Sequence, residues 1–188
     1  MGAPLLVMLA GPNGAGKSTF YETHLEALGL PFLNADNFAR ATGVDAYSAA
    51  GAIAMIRDQM IVRGESFVAE TVLSDPVGEK VECLREAAER GFDVTLIYIG
   101  IENADLSRRR VAARVAAGGH HVPPEKLSAR YRRSLDNLGR AIELLPRVRV
   151  YDNSSFRNPH HFLGEFRSGS LTERTRDPLP GWAQRFFT

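Results

Sequence analysis

The sequence predicts an α/β fold of the P-loop NTPase class, a kinase-like three-layer α/β/α arrangement with a parallel sheet of about five strands and a helical lid. Three observations lead there. The segment Gly11-Pro12-Asn13-Gly14-Ala15-Gly16-Lys17-Ser18-Thr19 fits the phosphate-loop pattern G-x-x-x-x-G-K-[ST]. An apolar run, Leu5 to Ala10, precedes it and a helical pattern follows, which is the setting the pattern requires. Further along, short apolar runs alternate with helical patterns, as expected of parallel strands joined by crossover helices.

Each element follows in order. Leu5 to Ala10 is long enough for a buried strand. In the loop, glycines let the backbone turn tightly, so that successive N–H groups form an anion nest backed by the positive end of the next helix. Lys17 to Leu28 reads as that helix, with Phe20, His24 and Leu28 at spacing four. Pro31 to Asp36 reads as a short second strand ending at a carboxylate. Ala46 to Arg63 is helical, with Ile53, Ile56, Met60 and Val62 as its apolar stripe and Gly64 closing it. Ser66 to Thr71 is a third strand with Glu70 near its end. Asp75 is expected to cap the next helix, with Pro76 in its first turn and Gly91 as its stop. Phe92 to Ile101 is a central strand. Ala104 to Ala117 is a helix ending at Gly118-Gly119, and Pro124 opens another that reaches Leu145. Its stripe is Leu127, Tyr131, Leu135, Leu138, Ile142 and Leu145. Val148 to Tyr151 is a fifth strand. Pro159 to Phe166 reads as a short helix and Ser168 to Pro180 as a surface loop, with Trp182, Phe186 and Phe187 docking the tail. The expectation is one domain over 1–188, with a lid at about 104–133 and a tail, 154–188, packed on the core.

Composition narrows the function classes. The chain has 188 residues, 44% of them hydrophobic, and 23 Lys and Arg against 22 Asp and Glu. A net charge of +1 calls for neither nucleic acid nor a membrane surface. A single cysteine, Cys83, cannot form an internal disulfide and suits a reducing compartment. No apolar run approaches the roughly 20 residues of a membrane span. The N-terminus lacks the basic region of a signal peptide. These features predict a cytoplasmic enzyme.

Open parallel sheets bind ligands beyond the carboxyl ends of their strands. The loop, Asp36 and Glu70 all lie at such ends and should converge. Lys17 would reach the β- and γ-phosphates of ATP, and the Ser18 hydroxyl would ligate Mg²⁺. Asp36 is placed to accept the proton of an attacking hydroxyl. Its alternative is a helix cap for Asn37 to Arg40. Glu70 could hold the Mg²⁺ hydration shell or the acceptor, the alternative being a strand-end residue paired to arginine. Arg110 and Arg114 lie four apart on one helix, and Arg130 and Arg133 three apart on the next. Joined by a Gly-rich loop, they resemble the lid of small-molecule kinases, which expels water and neutralises developing charge. Solvated helix faces are the alternative. His120 and His121 have no cysteine or acidic partner at metal-binding spacing.

The chain resembles the zeta-toxin family of P-loop kinases, especially its shorter zeta-like branch, whose members are often labelled predicted ATPases. The matching pieces are GPNGAGKST at 11–19, FLNADNFA at 32–39, FVAET at 67–71, RVAARVAAGGHHVP at 110–123, RYRRSLDNL at 130–138 and VYDNS at 150–154. The resemblance implies ATP-dependent phosphorylation. It makes Asp36 the match of the family's catalytic base, Glu70 its second active-site carboxylate and Arg114 a lid arginine. Its best-known members phosphorylate a hydroxyl of UDP-N-acetylglucosamine. The family's glycine, threonine and arginine after the second carboxylate are here Thr71-Val72-Leu73-Ser74-Asp75, without arginine. A second lid arginine near 121 is histidine, with Arg130 and Arg133 as substitutes.

The expected function is therefore an ATP- and Mg²⁺-dependent kinase acting on a hydroxyl of a metabolite, UDP-sugars among the candidates. The alternatives are a nucleotide-dependent ATPase or switch working through a protein partner, and a toxin paired with an antitoxin.

Overall fold

In the computed structural model, which describes residues 2–116 and 123–188, the first apolar run is strand β1 (Leu5–Ala10). Leu6 to Ala10 are at most 5% exposed, the pattern of a strand covered on both faces. Leu6, Met8 and Ala10 join one core cluster and Val7 and Leu9 the other, so the sheet is the middle of three layers. Burying each such Leu or Val stabilises the fold by roughly 1.5–3 kcal/mol.

Across the sheet the strands run β2 (Phe32–Leu33), β3 (Phe67–Thr71), β1, β4 (Asp93–Gly100), β5 (Val148–Asp152), β6 (His161–Arg167) and β7 (Ser170–Arg174). The first five are parallel. The last two are antiparallel additions at one edge. Among the described residues the sheet thus has seven strands, the five parallel ones expected and two antiparallel ones beyond them. The helix expected over Pro159 to Phe166 is strand β6, and β7 lies inside the expected loop. Leu163 and Phe166 are buried there, at 0% and 3% exposed. Ser168 and Gly169 join the pair, both at positive φ (46° and 81°), the two-residue turn that matches strand twist.

The helices are α1 (Lys17–Phe20), α2 (Ala35–Thr42), α3 (Ala46–Arg63), α4 (Glu79–Glu89), α5 (Ala104–Ala116) and α6 (Pro124–Leu144). α1 continues through a π turn, Tyr21–Leu25, and a 3₁₀ turn, Glu26–Leu28. The wider turn shifts the helical phase by a residue. Leu25 therefore points inward, and Leu28, expected on the buried stripe, is 46% exposed. In α3, Met60 is buried as expected, but Ile61 takes the inward place given to Val62, which is exposed. Asp45 caps this helix by accepting from the Tyr47 and Ser48 N–H groups.

α4 starts at Glu79 behind Gly78, not at Asp75. The segment before it, with Leu73 at positive φ (56°), is tied down by side chains of α6. Ser134 Oγ donates to Val72 O (2.8 Å), Arg133 Nε to Ser74 O (2.7 Å), and Asn137 Nδ2 to Leu73 O and Asp75 O (3.0 and 2.9 Å). These bonds fix the path of the segment against α6 ahead of the helix. Near the C-terminus, Trp182, Ala183 and Phe187 are buried in the core cluster, and Trp182 Nε1 donates to Asp152 Oδ1 (2.8 Å). Among the described residues, no helix is long and apolar enough to cross a membrane.

Candidate active site

The loop after β1 is built from the outside in. Its carbonyls are bound by donors on its outer side or by Lys17. Ser107 Oγ donates to Asn13 O (2.6 Å), Arg110 Nη1 to Gly14 O (3.3 Å) and Asn153 Nδ2 to Ala15 O (2.8 Å). Gly16 O accepts from the Phe20 N–H (3.0 Å) and from His160 Nε2 (3.1 Å), which therefore carries the proton of the neutral ring. Among the described residues, the N–H groups of Gly14, Gly16, Lys17 and Ser18 make no backbone hydrogen bond. Carbonyls turned out and N–H groups left open are the geometry of an anion nest. Two glycines are required by close approach at positive φ. A β-carbon on Gly11 (φ 141°) would collide with the Ile99 carbonyl oxygen, and one on Gly16 (φ 87°) with the Asn153 amide.

Lys17 lies over this loop, 6% exposed, with Nζ donating to Gly11 O (3.0 Å) and Pro12 O (3.3 Å). Burial pulls its pKa below the usual lysine value, and the nearby Glu70 and Asp36 charges oppose that shift. Glu70 Oε1 is 3.6 Å from Lys17 Nζ, and Oε2 accepts from Ser18 Oγ (3.3 Å) and Asn34 Nδ2 (2.8 Å). Register explains the meeting: Leu9 of β1 pairs with Glu70, and Leu33 of β2 with Ala69. Asn34, just past β2, also caps α2, its Oδ1 accepting from Asn37 N–H (2.9 Å). Asp36 is thus in the first turn of α2 but is not its cap. Its Oδ2 faces Arg114 Nη1 of α5 at 3.8 Å.

These residues share one cleft of about 570 Å³, lined among others by Asn13, Lys17, Asp36, Glu70, Arg114 and Arg130. Two of the expected lid arginines stand elsewhere. Arg110 does not line the cleft. Its Nη1 donates to Asn153 O (2.8 Å) as well as to Gly14 O, and its guanidinium lies over Phe156. Arg133 is held by Ser74 O. His120 and His121 lie outside the described residues. Among those described, no cluster of three His, Cys, Asp or Glu side chains could hold a metal. Sequence reasoning missed Asn34 as the link between carboxylates, Asn153 and His160 as outer supports, and Arg57, Lys80 and Lys126 in the cleft wall. A larger groove of about 740 Å³ between α3, α4 and α6 contains none of the loop or carboxylate residues.

A family model described as an AAA domain matches residues 6–138. The chain belongs to the AAA domain family. The matched span holds the loop, Asp36, Glu70 and the four arginines Arg110, Arg114, Arg130 and Arg133. This AAA domain chain is 30% identical, over 134 residues, to an uncharacterized protein of Haemophilus influenzae, covering 66% of this chain and 91% of that one. Among solved structures it is similar to the AvrRxo1-ORF1:-ORF2 structure with ATP, at 16% identity and TM-score 0.69, over 92% of this chain. It spans only 61% of that longer chain. It is also similar to the PezAT chromosomal toxin-antitoxin structure of Streptococcus pneumoniae, at 15% identity and TM-score 0.55, over 95% of this chain and 74% of that one. The fold is accordingly the α/β P-loop kinase-like fold.

Proposed function

We propose that this chain is an ATP-dependent kinase that phosphorylates a hydroxyl of a small metabolite, a member of the zeta-like branch. The observation that carries the reading is the convergence of Asp36 with Arg114, and of Glu70 with Lys17 and Ser18, on the cleft beside the open nest. The nest and Lys17 hold the phosphates of ATP. Asp36 accepts the proton of the acceptor hydroxyl. The acceptor oxygen forms a bond to the γ-phosphorus as the bond from that phosphorus to the bridging oxygen of ADP breaks. Arg114 offsets the charge that develops on the transferred group. The hard oxygen donors of Ser18 and Glu70 fit Mg²⁺, which supplies charge neutralisation at the phosphates when bound.

A screen by ³¹P NMR or mass spectrometry tests this, with ATP, Mg²⁺ and a panel of hydroxyl metabolites including UDP-sugars. A phosphorylated acceptor should form with the wild type and be lost in Lys17→Ala. Asp36→Asn should slow transfer by roughly 10²–10⁴-fold while leaving ATP affinity within about twofold of wild type. An Asp36→Asn protein that still transfers at full rate would remove Asp36 from the role of base. A toxin role under the control of a protein partner is supported by the fold likeness to the PezAT system. It predicts slowed growth on expression, relieved by Lys17→Ala.

A further inference from the structure

The cleft holds more positive charge than the loop chemistry uses. Among the described residues, six basic side chains line it, Lys17, Arg57, Lys80, Arg114, Lys126 and Arg130, against two acidic ones, Asp36 and Glu70. Pairing accounts for three of the six: Lys17 with Glu70, Arg114 with Asp36, and Arg57 with its neighbour Asp58 (2.7 Å). Among the described residues, the side chains of Lys80, Lys126 and Arg130 form no ion pair and no hydrogen bond. Lys80, at the start of α4, is half-buried, and burial, more than any neighbouring charge, lowers its pKa below the usual lysine value. An anionic group of a ligand beside it would favour the charged ammonium.

Two separate charge neighbourhoods share the cleft. The charges acting on Lys17 are Glu70, Asp36 and Arg114. Those acting on Lys80 are Asp75, Arg57, Glu79 and Arg130. Asp75 stands near Lys80 without closing an ion pair, and both of its carboxylate oxygens are buried and lack hydrogen bonds. The same cleft is also lined by small or apolar side chains, Ala46, Ala50, Ile53 and Ala54 of α3. A ligand filling the cleft would therefore meet the Asp36 neighbourhood, small apolar side chains and unpaired cations.

We propose that Lys80 and Arg130 form an oxyanion subsite, and that the acceptor is an alcohol carrying a carboxylate or phosphate group. The identification of that ligand as the phosphoryl acceptor rests on the kinase reading. The subsite itself rests on the unpaired cations. Lys80 supplies a compact point charge and Arg130 a planar fork, a pairing suited to either oxyanion.

Two measurements separate the claims. The first does not depend on turnover. With Mg²⁺ and a non-hydrolysable ATP analogue filling the nest, inorganic phosphate and acetate are each titrated into the wild type, Lys80→Arg and Lys80→Met, and binding is followed by calorimetry. At least one anion should bind the wild type and Lys80→Arg, and bind Lys80→Met about tenfold or more weakly. Which anion binds better decides between phosphate and carboxylate. The second uses alcohols in matched neutral, carboxylated and phosphorylated forms as acceptors. Turnover should be confined to the charged forms, and Lys80→Met should raise KM about tenfold while kcat stays within about threefold. Equal anion binding by wild type and Lys80→Met overturns the subsite, as does turnover of neutral alcohols as fast as of their charged partners. Anion binding that tracks Lys80 without any phosphorylated product upholds the subsite and sinks the kinase reading.

Discussion

Glu70 and Lys17 are both shielded from water, yet losing one is not equivalent to losing the other. Glu70 accepts from Ser18 and Asn34 in addition to facing Lys17. Without Lys17 it keeps two neutral donors. Without Glu70, the lysine keeps only carbonyl oxygens, and the Asn34 amide loses its acceptor. Glu70→Ala should therefore cost about 3 kcal/mol and Lys17→Met under about 1 kcal/mol, as read by urea denaturation in the absence of nucleotide. Equal costs would mean that the carboxylate does not organise this cluster. His160 gives a second prediction at this scale. Burial lowers its pKa below the ordinary 6.5, with a smaller opposing effect from its bond to Gly16 O. The unfolded chain then binds the proton more readily than the folded one. Stability from this group is complete above pH 6.5 and is lost as pH falls from there through the lowered folded value. His160→Gln should flatten that part of the stability-against-pH curve relative to wild type, and a superimposable curve would rule the assignment out. Asp36 and Glu70 were legible in the sequence because a polar residue at the end of an apolar strand has few structural uses. Asn153 and His160 were not, because they act on backbone carbonyls, which leave no pattern in side-chain spacing.

At the scale of elements, the most consequential is α2, eight residues long and carrying Asp36 in its first turn. None of its residues is fully buried, although Phe38 and Ala39 are half-buried and the helix packs against α3. Asn34 caps it and at the same time donates to Glu70. Asn34→Ala should cost about 1–2 kcal/mol and lower phosphoryl transfer through misplacement of Asp36, whereas Asn34→Asp should keep the cap and oppose Glu70. Measured transfer rates for the two variants distinguish capping from charge, and an Asn34→Ala enzyme of full activity would dismiss the link. The elements that the sequence revealed are those with strong local signals. The apolar runs of β1, β3 and β4 and the Gly64 end of α3 are examples. Those it concealed depend on partners far away. The start of α4 is set by Ser134, Arg133 and Asn137 of α6, and the phase of Leu25 by a π turn. The hairpin of β6 and β7 did carry a signal, Ser168-Gly169 between two apolar-containing runs, which was outweighed by the polar composition around it.

Across the whole molecule, the parallel sheet is closed at one edge by β6, β7 and the buried aromatic groups that follow. Trp182 packs against Gly100 at the end of β4 and ties its indole N–H to Asp152 at the end of β5. Trp182→Ala should cost about 3–5 kcal/mol and, by releasing Asp152 beside Asn153, weaken ATP binding as well. Calorimetric stability and nucleotide affinity should fall together; loss of stability with unaltered affinity would confine Trp182 to packing.

The bond from His160 to Gly16 spans 144 residues of chain, and that from Asn153 to Ala15 spans 138. A ribosome working at about 5–20 residues per second needs roughly 7–30 s to cover the longer interval. Throughout that time the glycine loop has been made, but its Gly16 carbonyl lacks the His160 donor, and its Ala15 carbonyl gains Asn153 only near the end. A stalled or prematurely terminated chain therefore carries the motif without the site, and synthesis itself delays the moment at which the cell meets a competent nucleotide pocket.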